Sequence, residues 1–249
     1  VIVSSIYILD NTDAQIIIKE VDTESAFIAS ALPQIIDCVG EEKAKRLTHV
    51  FEQSDDQVFH RTKILNDMVM MTKTPVVVNY DCDILLPLES YQTCEKWILE
   101  GTYDMVYPYG DGNWQYQIFA TDELVSDFIN GGYDFSILRD SSRVYDAKYG
   151  FCQFFSTEKY IEGGLENENF VAYGYEDDER FYRFNTMGYK VGRLDAHVYH
   201  MEHARTPNSW FTNPFIENNK NLWEKIKGMN EEQLLEYYNG LDYVQRRLG

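Results

Sequence analysis

A short run of valines that ends in two acidic residues is the feature that most constrains this chain. Pro75 is followed by three consecutive valines, and the run continues through Asn79-Tyr80 to Asp81-Cys82-Asp83. Consecutive β-branched residues are typical of a central strand buried on both faces of a sheet. Ligands of α/β proteins bind beyond the carboxyl ends of such strands. In extended backbone, alternate side chains point the same way, and two adjacent carboxylates repel unless a cation compensates. We therefore consider a Mg²⁺ or Mn²⁺ site here, with a solvated turn as the alternative.

Strand-like and helix-like segments alternate along the chain. The segments with the pattern of a strand are residues 15–20, 47–52, 75–80, 106–109, 150–155, 189–194 and 197–201. The segments with the pattern of a helix are residues 59–71, 87–101, 122–130, 176–187, 215–227 and 231–239, and we favour a helix over a strand for residues 1–9. Another helix follows Asp22 and is expected to be interrupted or ended by Pro33. This order predicts an α/β fold, a mixed sheet flanked by helices.

The chain shows no linker or internal repeat. We therefore expect residues 1–213 to form one domain, and residues 214–249 to form a C-terminal helical extension. The C-terminal helices are amphipathic, so their apolar faces are expected to pack on the core or against an additional domain or subunit.

Charge and composition exclude several classes of function. The 249 residues include 41 acidic and 22 basic ones, for a net charge of -19. Nucleic-acid binding needs clustered Lys and Arg, and anionic membranes repel an acidic surface. The sequence has no apolar run near the ~18 residues of a membrane span. The 4 cysteines are widely spaced, which is typical of reduced thiols, so we expect a cytoplasmic protein.

Two further clusters carry groups suited to chemistry. The first is His200-Met201-Glu202-His203, whose imidazoles three residues apart can converge on one ion and whose alternative is a pair of surface histidines. The second is Tyr173-Gly174-Tyr175-Glu176-Asp177-Asp178. Acidic residues at a helix N-terminus can simply complement the helix dipole. Aromatic rings beside carboxylates are also what a sugar site requires.

The order of these motifs resembles that of the nucleotide-sugar glycosyltransferases with the GT-A fold. The closest likeness is to the β-1,4-galactosyltransferase and chondroitin-polymerase type of catalytic domain. In that family a glycine pair and a Trp-Gly-Trp-Gly-Gly-Glu-Asp-Asp-like run precede a helix, and a His-x-x-His-x-Arg segment follows. Here the matching segments are residues 150–154, residues 161–168, the tyrosine-flanked acidic run and residues 198–205.

The resemblance implies a role for each matched residue. It makes Asp83, His203 and His200 the metal ligands, with Mn²⁺ or Mg²⁺ as the cofactor. It makes Asp177 the catalytic base and Glu176 a contact of the acceptor sugar. The residues implied on the nucleotide-sugar side are Glu20, Asp22, Arg61, Asn66, Asp81 and Tyr109. The residues implied on the acceptor side are Tyr173, Tyr175, Gly163 and Gly164.

The resemblance predicts a metal-dependent inverting transferase that moves a sugar from a UDP-linked donor to a glycan or other hydroxyl acceptor. Three departures stand out: Tyr173 and Tyr175 replace tryptophans, Gly174 replaces a glycine pair, and the family's first strand, of the type Ile-Pro-x-Arg, is not found. The chain is therefore expected to lack that strand or to be a fragment. The alternatives are a carbohydrate- or Ca²⁺-binding module, another metal-dependent phosphotransfer enzyme, or a transferase-like fold without activity.

Overall fold

The computed structural model describes residues 1–146, 148–204, 207–209 and 212–248. Arg205, which would complete the predicted His-x-x-His-x-Arg segment, lies outside these residues. The helices are α1 Ile2–Asn11, α2 Leu32–Val39, α3 Glu41–Ala44, α4 Arg61–Val69, α5 Leu88–Leu99, α6 Asp122–Asn130, α7 Phe135–Asp140, α8 Thr157–Glu162, α9 Glu176–Thr186, α10 Ile216–Ile226, α11 Glu231–Asn239 and α12 Asp242–Leu248. The strands are β1 Ile16–Asp22, β2 Leu47–Gln53, β3 Val76–Tyr80, β4 Ile84–Leu85, β5 Met105–Tyr107, β6 Gln115–Ile118, β7 Ser142–Tyr145, β8 Cys152–Ser156, β9 Val191–Arg193 and β10 Val198–Met201.

Within the described ranges, the strands form one parallel pair and two mixed sheets of four strands. The pair is β1-β2, and the sheets have the orders β3-β8-β5-β9 and β4-β10-β6-β7. β5 and β9 are parallel, as are β6 and β10, whereas the other neighbours within the sheets are antiparallel. The predicted α/β class with mixed sheets and flanking helices is therefore confirmed, and the predicted helix at the start of the chain is α1.

The valine strand β3 lies at the edge of its sheet. It pairs with β8 through the register Val78 to Phe154, and its three valines are only partly buried. The prediction of a central strand buried on both faces was therefore wrong. The free edge of β3 borders a large cavity, which β1 also lines.

The main core lies between the β3-β8-β5-β9 sheet and the helices that cover it. Its members include Cys94, Ile98, Met105, Phe155 and Phe184, all nearly or fully excluded from solvent. This packing holds the ends of β3 and β8 in place, so the residues that follow β3 have a rigid support.

The C-terminal helices pack on this chain's own core. Ile226, Leu234 and Tyr238 bury their side chains against Phe170, and the Tyr238 hydroxyl donates to the Glu179 carboxylate of α9. The sequence allowed these apolar faces to pack on the core or against a further domain or subunit. In the structure they pack against residues of the same chain. No helix in the described ranges combines the length and the apolarity that crossing a bilayer requires.

Candidate active site

The predicted metal ligands and the predicted base line the same cavity. This cavity has a volume of about 2030 Å³, runs along the length of β3 and reaches Asp81 and Asp83 just after the carboxyl end of that strand. Its wall includes Asp83, His200 and His203 as well as Tyr173 and Asp177. Groups from segments that are far apart in the sequence therefore face one space.

Strand pairing brings the two metal-ligand segments together. β10 runs antiparallel to β4, with His200 opposite Ile84, and the Met201 amide donates to the Asp83 carbonyl at 2.8 Å. The Asp83 Oδ2 atom lies 3.0 Å from His203 Nε2 and 3.5 Å from His200 Nε2. One ligand atom from each of the three residues lies within 4.8 Å of the others.

The donor set of this cluster fits a divalent cation. The Asp83 Oδ1 atom is buried and has no hydrogen-bond partner among the described residues. Burial by itself would raise the pKa of Asp83, but the hydrogen bond from His200 and the positive charges of His200 and His203 lower it below its usual value. A carboxylate with two imidazoles suits Mn²⁺ or a similar transition metal better than Ca²⁺.

Arg61 lies between the carboxylate of Asp81 and those of Glu176 and Asp177. Its guanidinium lies 2.8 Å from the Asp81 carboxylate, and on its other side it lies 3.6 Å from Glu176 and 3.8 Å from Asp177. Burial raises the pKa of Asp81, and the charge of Asp83 adds to this shift, whereas Arg61 opposes it. The Arg61 guanidinium thus compensates part of the negative charge of Asp81 and Asp177, both of which line the cavity.

A buried arginine forms an ion pair with Asp177. The Arg180 guanidinium donates to Asp177 Oδ1 one helical turn away, and a second ion pair with Glu166 at 2.8 Å fixes Arg180 itself. Asp177 Oδ2 points toward Gly150, where a Cβ atom would lie only 3.3 Å away. One carboxylate oxygen is therefore anchored, while the other lies beside a residue without a side chain.

Glu176 differs sharply from its neighbour Asp177. Its side chain is 2% exposed, and its Oε2 atom accepts a hydrogen bond from the Gly174 amide at 2.6 Å. Burial and the charge of Asp177 raise the pKa of Glu176 to about 8, although Arg61 acts in the opposite direction. Glu176 therefore lies behind the cavity wall, and its predicted contact with the acceptor sugar stays a prediction.

Glu20 and Asp22, both predicted on the nucleotide side, lie at the end of β1. Glu20 accepts from the backbone amides of Ala26 and Phe27 at 2.8 and 3.1 Å and from the His49 ring at 2.9 Å. It therefore caps the π-helical turn Phe27–Ala31, whereas Asp22 is exposed.

Asn66 and Tyr109 lie in the interior beneath the cavity. Asn66 donates to the Glu166 carbonyl at 2.9 Å and accepts from the Glu166 amide at 2.8 Å. The Tyr109 hydroxyl donates to the Gly150 carbonyl at 2.6 Å. Both residues support loops of the site in this structure, and their predicted contact with the nucleotide sugar stays a prediction.

The predicted acceptor residues separate into two environments. Tyr173 is 46% exposed on the cavity wall, whereas Tyr175 is the N-cap residue just before α9 and packs toward the C-terminal helices. Gly163 and Gly164 are buried against Phe184 and Tyr238. A Cβ atom at Gly164, whose φ is +89°, would approach the Tyr238 ring to 2.6 Å, so this glycine is required by packing.

The sequence analysis missed the buried Arg180–Glu166 ion pair and the residue Gln117, all of which contact residues of the site. The buried Arg180–Glu166 pair lies inside segments that the motifs already covered, and the three-residue spacing of Asp177 and Arg180 on a helix was a usable signal. Gln117 of β6 donates to Glu202, which in turn faces His200. Nothing in the sequence pattern pointed to Gln117, since this contact depends on strand register.

Comparisons with solved structures identify the fold. GalNAc-T7 with UDP, GalNAc and Mn²⁺ superposes with a TM-score of 0.53 at 12% identity, covering 93% of this chain and 50% of that one. The catalytic domain of Drosophila β1,4-galactosyltransferase 7 with xylobiose gives a TM-score of 0.43 at 14% identity, covering 87% of this chain and 82% of that one. No protein-family model and no curated protein matches the sequence. The chain has the GT-A fold and spans half the length of the GalNAc-T7 structure.

Proposed function

We propose that this chain is a metal-dependent inverting glycosyltransferase. Its donor is a nucleotide diphosphate sugar, UDP-linked, and its acceptor is a hydroxyl group of a glycan. The observation that carries this proposal is that the Asp83, His200 and His203 cluster and the Asp177 carboxylate line one cavity. Arg61 lies between Asp81 and Asp177 and provides a positive charge at the same place.

Asp83, His200 and His203 are the residues that would hold Mn²⁺. When bound, the ion supplies Lewis-acid stabilisation of the negative charge that develops on the departing diphosphate. The UDP, GalNAc and Mn²⁺ of the GalNAc-T7 structure support this choice of donor class and metal, because that protein shares the fold. The buried Oδ1 of Asp83, which has no hydrogen-bond partner in the described part of the chain, supports it independently.

Asp177 is the proposed general base. Its anchored Oδ1 fixes the carboxylate, and its Oδ2 beside Gly150 accepts the proton of the acceptor hydroxyl. The activated oxygen attacks the anomeric carbon from the face opposite the diphosphate, so the configuration at that carbon inverts. A well-placed general base contributes roughly 10²–10⁴-fold to a rate.

A screen of donor consumption across UDP- and GDP-sugars, with and without Mn²⁺, tests the activity. We expect turnover of a UDP-sugar that depends on Mn²⁺, and NMR of the first product should show the inverted anomeric configuration. Retention of configuration would remove Asp177 from its proposed role. A carbohydrate- or Ca²⁺-binding module would instead be stabilised by glycan or Ca²⁺ alone and not by UDP with Mn²⁺.

A further inference from the structure

A row of polar side chains crosses three strands and ends at His200. In the register of β10 with β6, His200 lies opposite Gln117, and in the register of β6 with β7, Gln117 lies opposite Arg143. Residues directly opposite each other on neighbouring strands project from the same face of a sheet. The row therefore leads from the exposed edge strand β7 to the cavity.

Hydrogen bonds connect the members of this row. Arg143 Nε donates to Gln117 Oε1, and Gln117 Nε2 donates to Glu202 Oε1. The Arg143 guanidinium also lies 5.2 Å from the centre of the Phe119 ring, a cation–π contact that fixes its direction. Since Arg143 binds the amide oxygen of Gln117, the amide nitrogen is directed toward Glu202.

Glu202 in turn contacts the imidazole ring of His200. Its Oε1 atom lies 3.2 Å from His200 Nδ1, while His200 Nε2 faces Asp83 Oδ2 at 3.5 Å. A carboxylate at this distance favours a proton on Nδ1, and that tautomer leaves the Nε2 lone pair free for a metal. Without Glu202, the imidazole ring loses the carboxylate beside Nδ1 that favours this tautomer.

We propose that Arg143, Gln117 and Glu202 are positioning residues that orient His200 toward a divalent cation. This inference rests on the proposed function, because it assumes the metal site, and it deepens that proposal. Glu202 acts through His200 and is not itself a ligand. Partners of this kind typically change metal affinity by about 10–100-fold when they are removed.

Mn²⁺ affinity, measured by EPR of the free ion and without any sugar nucleotide, tests the inference. We expect Glu202→Ala to weaken Mn²⁺ binding by about 10–100-fold, and Gln117→Leu and Arg143→Met to weaken it by smaller factors. Glu202→Gln, whose amide oxygen still accepts from Nδ1–H, should retain more affinity than Glu202→Ala. Arg143 is exposed, so its replacement leaves folding intact. Arg139→Met, on the exposed surface of α7, is the matched control and should bind Mn²⁺ like the wild type.

A double-mutant cycle separates positioning from direct ligation. In a His200→Ala background, Glu202→Ala should have no further effect on Mn²⁺ affinity. A further tenfold loss in that background would make Glu202 a ligand and overturn the inference. If His200→Ala weakens binding but Glu202→Ala, Gln117→Leu and Arg143→Met do not, this inference fails while the metal site stands. If the wild-type protein does not bind Mn²⁺, the proposed function fails with it.

Discussion

The guanidinium of Arg180 donates to both carboxylate oxygens of Glu166, at 3.0 and 2.8 Å, and both side chains are almost completely excluded from water. Glu166 also accepts from the Tyr160 hydroxyl at 2.6 Å and from the Asn79 amide at 2.9 Å. Arg180 also donates to the Asp177 carboxylate. This buried network therefore fixes the position of the proposed base.

Removal of the Glu166 carboxylate should destabilise the fold strongly. Glu166→Ala leaves a buried arginine without its main counter-charge and the buried Tyr160 hydroxyl without its acceptor. Losing one partner of a buried ion pair costs about 3–5 kcal/mol, and we expect a loss of that size in the free energy of unfolding, measured by urea denaturation. Glu158→Ala, an exposed carboxylate on the neighbouring helix α8, should change the stability by less than about 0.5 kcal/mol. Similar losses for the two variants would contradict the structural role of the pair.

Glu176 should make the stability of the protein decline as the pH rises from about 4.5 to about 8. Burial and the Asp177 charge raise the pKa of Glu176 from an ordinary value of 4.5 to about 8 in the folded protein. Between these two values the unfolded chain releases a proton that the folded chain keeps, so stability falls as the pH rises through this window. Glu176→Gln cannot ionise, and its stability should therefore decline less between pH 6 and pH 9. Urea denaturation at the two pH values measures the difference.

The control for this pH dependence is Glu232→Gln, an exposed residue of α11. It should keep the wild-type decline between the two pH values. An equal decline in Glu176→Gln would show that other groups cause the pH dependence and that Glu176 ionises normally.

Local patterns predicted the long elements well, because periodicity and breakers are local signals. The amphipathic segment around Arg61 and the valine run before Asp81 are a helix and a strand in the structure. Short elements without a periodic pattern, such as β6 and β7, were not predicted. Pro33 is expected to interrupt or end a helix, and in the structure the π-helical turn Phe27–Ala31 gives way to α2 just before it, since proline has no N–H for an intrahelical hydrogen bond.

The identity of the residues that line the candidate site could be predicted from the sequence motifs, but the strand pairing that brings them together could not. Asp83, His200 and His203 come together as the resemblance implied. The pairing that achieves this, β4 with β10, joins segments more than a hundred residues apart, and no local signal encodes it. For the same reason the support of Asn66 by Glu166 could not be foreseen, since it depends on tertiary packing between distant segments.

Replacement of the proposed base should abolish most of the transfer activity without affecting the metal. Asp177→Asn keeps the size of the side chain but removes the proton acceptor, so we expect kcat for sugar transfer to fall by roughly 10²–10⁴-fold. Mn²⁺ affinity should be unchanged, because Asp177 is not part of the Asp83 cluster. Asp178→Asn, one residue along on the same cavity wall, is the matched control and should lose far less activity. An Asp178→Asn defect equal to that of Asp177→Asn would point to a general effect of charge at the cavity.

Removal of the metal ligands should abolish the stabilisation that Mn²⁺ gives to the fold. A ligand that binds only the native state raises the free energy of unfolding by ~2.7 kcal/mol when its concentration is 100 times Kd, and excess EDTA should reverse this gain. Asp83→Asn and His203→Ala should show little of it, because each removes an atom from the cluster. His60→Ala is the control, since His60 is an exposed histidine that bonds to Asp56 and not to the cluster. A full Mn²⁺ shift in Asp83→Asn would place the ion elsewhere, and the Asp83 cluster would then lose its proposed role in transfer.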